Sequence, residues 1–114
     1  MAHFVDDITH RLLLQIGIFY SDIDNAIDMM RTKYNVVIYN TSAPFVENGK
    51  IVYAFSVKSC NPRMGWNGRI SIYTPKKWYT NIYEAKRKAI RAAAQWILAH
   101  KCKKISIKSK KVSK

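Results

Sequence analysis

The sequence predicts an α+β domain: one antiparallel sheet of three strands, a fourth left open, with helices packed on one face. Three observations carry that expectation. Apolar residues recur at helical spacing near both ends of the chain. Between those ends, two stretches alternate apolar and polar residues, as strands with one buried and one wet face do. Asn48-Gly49 and Asn67-Gly68 stand just before the two stretches and supply turn chemistry. The 114 residues fit one domain. Hydrophobic residues make up 48% of the chain, including seven Tyr, four Phe and three Trp, enough for a modest core.

The elements follow in order. Residues 4–33 read as helix in two pieces. Phe4, Ile8, Leu12, Ile16 and Phe19 keep helical spacing, and Gly17 weakens the middle. Ser21 or Asp22 can cap the second piece, because a short oxygen-bearing side chain accepts from unpaired N–H groups at a helix start. Asp22 and Asp24 suit the positive end of the helix dipole, and Arg31 and Lys33 the negative end. Ile23, Ala26, Ile27 and Met30 form its apolar stripe. Asn35 to Asn40, "NVVIYN", is β-branched and aromatic. Lys50 to Ser59 alternates, with Ile51, Tyr53, Phe55 and Val57 inward. Gly68 to Thr74 alternates with Ile70 and Ile72 inward. The last helix runs from about Asn81 to His100, capped by Thr80 or Asn81. Ile82, Ala85, Ala89, Ala93 and Trp96 share its core face, with Ile90 and Ile97 on the edge. Residues 1–102 therefore form the domain, with a helical head over 1–34. Residues 103–114 hold six lysines and read as a basic tail.

Charge divides the chain. Residues 1–30 hold five acids and one base, a net of −4. Residues 31–114 hold two acids and nineteen bases, a net of +17, and the whole is +13. Such a balance favours polyanion partners: nucleic acid, anionic lipid or an acidic protein. Any polyanion surface lies in the basic body.

Other chemistry finds no support. No GxSxG, P-loop, HExxH or paired-carboxylate pattern occurs, so neither an enzyme nor a cofactor is expected. Cys60 and Cys102 match neither a metal spacing nor a disulfide framework, and His3, His10 and His100 do not cluster. The longest apolar run, Arg11 to Tyr20, is too short to cross a bilayer, and acids precede it. The expectation is a cytoplasmic protein with no membrane contact.

Opposite the core face of the last helix sit Arg87, Lys88, Arg91 and Gln95, interrupted only by Glu84, and Lys86 is a further candidate on the same helix. Such a side is ordinarily a solvated surface with mixed signs. Here the signs barely mix, and Lys76 and Lys77 stand just before it. Cations along one face can sit against successive phosphates and release counterions. Lys58 and Arg69 are sheet-face candidates for the same contacts. Arg63 and Trp66 are candidates in the loop "NPRMGWNG". Tyr73, Trp78 and Tyr79 can stack on bases, although Trp78 and Tyr79 fit better closing the core under the helix start.

The order helix, three strands, helix resembles the double-stranded-RNA-binding domain over roughly residues 20–101. The local likeness lies in "YEAKRKAIRAAAQWIL", Tyr83 to Leu98. That family opens its last helix with Lys-Lys-x-Ala-Lys and an alanine-rich core face. Ala85 and Lys86 match the end of the pattern, and Ala89, Ala92 and Ala93 match the face. Ile82 and Tyr83 replace its first two lysines. The first hairpin loop, "SAPFVENGK", has Pro44 and Glu47 but no histidine. The chain is also similar to small proteins of bacterial phages and mobile elements, which share a Lys-Tyr-Asn turn, here Lys33 to Asn35, and a last helix opening Tyr-Glu-Ala. The first likeness implies a non-catalytic module that contacts the phosphate backbone; the second carries no known activity. The alternative is a protein-interaction module that binds an acidic protein or forms a homo-oligomer.

Overall fold

The computed structural model describes residues 3–41, 46–59 and 70–100. Asp6 starts the first helix, α1 (Asp7–Gln15). Its carboxylate accepts from the Thr9 amide at 3.4 Å and from the Thr9 hydroxyl at 2.7 Å. The helix stops at Gly17, whose φ of 78° costs glycine nothing. There the Gly17 amide donates to the Leu14 carbonyl and the Ile18 amide to the Leu13 carbonyl. This reversal satisfies the helix end, and Leu13 and Ile18, the positions that commonly touch across it, are fully buried.

That start and stop correct the expected stripe. The helix begins three residues after Phe4, and its buried face is Thr9, Leu13 and Ile16. Phe4, Ile8 and Phe19 are 54%, 58% and 74% exposed. Phe4 belongs instead to a short bridge with Asp22. The Val5 amide donates to the Ser21 carbonyl at 2.9 Å, and the Ile23 amide to the His3 carbonyl at 2.8 Å.

The second helix, α2 (Ile23–Tyr34), is capped by Asp22, which accepts from the Asn25 amide at 2.9 Å. It ends at Asn35, in the left-handed conformation that asparagine tolerates. Ile23, Ala26, Met30 and Tyr34 are buried. The Tyr34 hydroxyl donates to the Ile16 carbonyl at 2.6 Å and ties α2 to the end of α1.

The sheet is antiparallel with strand order β1-β4-β5: β1 (Val36–Asn40), β4 (Phe55–Ser59) and β5 (Ile70–Tyr73). Ile38 faces Val57 and Val36 faces Ser59. A bulge leaves Ile72 between Tyr73, which faces Val57, and Ser71, which faces Lys58. The expected single strand over Lys50 to Ser59 is divided. Its first residues form β3 (Lys50–Ile51), which pairs with β2 (Val46–Glu47) as a separate ribbon. Asn48 and Gly49 both take positive φ, 52° and 76°, the turn that such a ribbon needs. Ile51, expected inward, is therefore exposed, while Ala54 and Ser56, expected outward, are buried. Thr41 accounts for part of that cover. Its hydroxyl donates to the Ala54 carbonyl at 2.9 Å and lies 3.4 Å from the Ser56 hydroxyl. A fourth strand in the tail falls outside the described residues.

The last helix, α3 (Ile82–Ala99), is capped by Asn81, which accepts from the Tyr83 and Glu84 amides. It packs across β1, β4 and β5, and α1 and α2 lie against its flank. Contact on two sides widens the core face. Ile90, Ala94 and Ile97 are fully buried beside Ala85, Ala89 and Ala93, while Ile82 and Trp96 are only half-buried. At about 100° per residue, the face is turned roughly 50° from its expected centre, toward Ala94. The core is one cluster between the sheet and the three helices.

Candidate nucleic-acid interface

The widened core face brings the basic side of α3 up against the head. Arg91 lies at that edge. One guanidinium nitrogen is 2.6 Å from Asp6 Oδ2, and its Nε donates to Thr9 Oγ1 at 3.2 Å. Arg87 Nε donates to the Phe4 carbonyl at 2.8 Å. Lys86 Nζ lies 3.2 Å from Asp24 Oδ1 and about equally far from the Phe55 and Tyr83 rings, at 5.7 and 5.6 Å. The His3 ring stacks on Tyr83 at 3.5 Å. Lys88 is exposed and has no ion pair among the described residues.

Partial burial pushes the Asp6 carboxyl up, but hydrogen bonds from Thr9 and Arg91 outweigh it and hold the group at about 2, below the ordinary 3.8. Asp6 is therefore ionised at every ordinary pH. Its side chain and that of Arg91 remain 43% and 37% exposed.

Arg87, Lys88 and Arg91 converge on an open cleft of about 310 Å³, whose other walls are Asp6, Asn81 and Glu84. Three cations meet two carboxylates there, and one of those carboxylates is occupied by Arg91. Chemically, the cleft offers guanidinium and ammonium donors to an oxyanion.

The remaining sequence candidates are spread out. Lys76 and Lys77 are exposed in the segment that leads into α3. Lys77 lies over the Tyr79 ring at 5.1 Å, and Tyr79 bridges Tyr53 by hydrogen bonds of 2.6 and 2.8 Å. Tyr79 packs against the core and Trp78 is exposed. Tyr73 is half-buried, and burial, with Tyr79 nearby, pushes its phenol above the ordinary 10.0. Lys58 lies over Tyr39 at 5.0 Å. Register puts both on the sheet face away from Ile38 and Val57, so Lys58 does not join the α3 cluster. Arg63, Trp66 and Arg69 lie outside the described residues.

Sequence reasoning missed Asp6, Asp24 and the Phe4 carbonyl as partners of α3. Its own charge division held the signal, since an acidic head beside a basic body attracts it. The described residues carry eleven Lys and Arg against all seven Asp and Glu, a net of +4. The other nine cations lie in residues 60–69 and 101–114. No group of three His, Cys, Asp or Glu among the described residues could hold a metal ion. No helix among them is long and apolar enough to cross a membrane. The chain matches no protein-family model, no curated protein and no solved structure.

Proposed function

We propose that this protein is a non-catalytic nucleic-acid-binding module of the cytoplasm, contacting the phosphate backbone through α3. The observation that carries the reading is the convergence of Arg87, Lys88 and Arg91 on one open cleft, with Lys76 and Lys77 exposed ahead of the helix. Phosphate contacts position a protein on nucleic acid and carry no sequence information, so binding is sequence-tolerant. The resemblance to the double-stranded-RNA-binding domain supports the same reading. Titration of short duplex and single-stranded DNA and RNA at two salt concentrations tests it. On duplex DNA, log K should fall with log salt at a slope of about −0.9 per neutralised phosphate. No binding of any of the four at low salt refutes it.

A second reading, a protein-interaction module of phage or mobile-element origin, is favoured by one observation. Phe4, Ile8, Leu14, Phe19 and Tyr20 are all exposed on the head, which supplies apolar side chains for a partner to cover. Under that reading the purified protein self-associates at low ionic strength, or binds an acidic protein, and ignores nucleic acid.

A further inference from the structure

Three of the four cations of α3 are engaged by the head, and their engagement differs in kind. Lys86 is only 18% exposed on its side chain and is held by two rings as well as Asp24. Arg87 donates to a main-chain carbonyl. Arg91 alone meets a carboxylate at the mouth of the cleft. A guanidinium fork takes a carboxylate and a phosphate with the same donors. Asp6 thus stands where a phosphate oxygen would stand.

We infer that the Asp6 carboxylate and a backbone phosphate of the nucleic acid are alternative partners of Arg91, so that the head competes with the ligand for the α3 cleft. The inference rests on the nucleic-acid reading above. Three features support exchange at this point. Both partners are more than a third exposed, and exposed ion pairs are weak. Asp6 stays ionised, so the competitor is always present. Asp6 also keeps its other bonds, to the Thr9 amide and hydroxyl, when Arg91 turns away. Exchange therefore leaves α1 capped and folded. The bound phosphate gains Arg91 beside Arg87 and Lys88, and releases one more counterion than a complex in which Arg91 stays on Asp6.

The test compares Asp6→Asn with Asp24→Asn in the full chain, with a short DNA duplex as probe. Asparagine is also a good helix cap, so Asp6→Asn keeps the start of α1, and Asp24→Asn leaves the Asp22 cap of α2 in place. Each removes one negative charge, but only the first takes the carboxylate from Arg91, which keeps its Nε bond to Thr9 Oγ1. At about 0.1 M salt, Asp6→Asn should bind on the order of fivefold more tightly, the value of one exposed ion pair, with a nearly unchanged salt slope, because Arg91 reaches a phosphate in both complexes. Asp24→Asn should change affinity less than about twofold, because Lys86 remains held by its rings. In the wild type, the Arg91 Nε–Hε resonance should move as duplex is added, which reads the exchange without any substitution. Equal tightening in the two variants would be a general charge effect and would overturn the inference, as would an Asp6→Asn affinity that is unchanged or weaker. Binding seen only in Asp6→Asn supports it. Failure of wild type and both variants to bind removes the nucleic-acid reading itself. Wild-type binding with no gain in Asp6→Asn removes the competition alone.

Discussion

Ala89→Asp places a carboxyl where α3 meets the sheet. Ala89 is fully buried, with Ala85 and Ala93 on the same face. Burial without a partner raises a carboxyl by about 3–5 pH units. At about 1.36 kcal/mol for each unit between the unfolded value of about 3.9 and pH 7, the ionisation cost at neutral pH is about 4 kcal/mol. A domain of this size has only about 5–15 kcal/mol of stability, so much of it is lost. The sign with pH is fixed. The folded-state pKa lies above the unfolded value of about 3.9, so the ionisation penalty is absent below about pH 4 and grows as pH rises to the folded value. Urea melts at pH 4 and pH 7 measure it, with Ala89→Asn as a neutral control of similar size. The Asn variant should lose a similar amount at both pH values, and the Asp variant far more at pH 7. If the Asp variant tracks the Asn variant within about 0.5 kcal/mol at both, Ala89 does not face the sheet and the packing of α3 is wrong.

Other expectations are as direct. Replacing Arg87, Lys88 and Arg91 together by Gln keeps helix propensity; duplex affinity should drop and the salt slope flatten by up to about 2.7, while truncation after Lys104 should matter less. Unchanged binding in the triple variant, with binding lost on truncation, would move the polyanion site to the tail. The Asp6 pair adds stability that is complete above about pH 4 and is lost as pH falls toward about 2. The full shift from 3.8 is worth at most about 2.4 kcal/mol, and solvent screening reduces it to about 1 kcal/mol. Acid melts of wild type against Asp6→Asn should show that difference closing across this window. Tyr34→Phe keeps the ring and removes the bond to the Ile16 carbonyl; thermal melts should report a loss of about 1–2 kcal/mol. Gly17→Ala should cost about 1 kcal/mol through its positive φ, and a neutral result would mean that α1 does not end there.

The parts of the fold that could be read from sequence are those with strong local signals. Asp22 and Asn81 mark helix starts with side-chain chemistry of their own, and the α3 alanines mark a face that lies close to something, whereas Asn35, expected to open the first strand, caps α2 instead. Alternation placed Phe55 and Val57 correctly, because β4 really is a strand. The same alternation failed at Ile51, where Asn48-Gly49 folds Lys50–Ile51 back on Val46–Glu47 instead of feeding the main sheet. In the head, periodicity linked Phe4, Ile8 and Phe19 across a cap and a glycine that interrupt the helix on both sides. The basic side of α3 was legible as charge but not as geometry. Which cations are already engaged depends on how α1 packs against α3, a contact between distant segments that no local pattern encodes.

The bonds from Phe4, Asp6 and Thr9 to α3 span 82 to 85 residues of chain. The β1–β4 pairing spans far fewer. Long closures carry the larger entropic cost and form after local ones, so docking of the head belongs to the end of folding. The same ordering governs partial opening: the element docked last is the first to detach, below the cost of global unfolding. Amide exchange should accordingly be faster in α1 than in β4, and equal protection would contradict this order. A chain still leaving the ribosome completes α1 long before α3 exists. Until α3 emerges, Leu13 and Ile18 lack part of their cover, so a segment made late seats one made early.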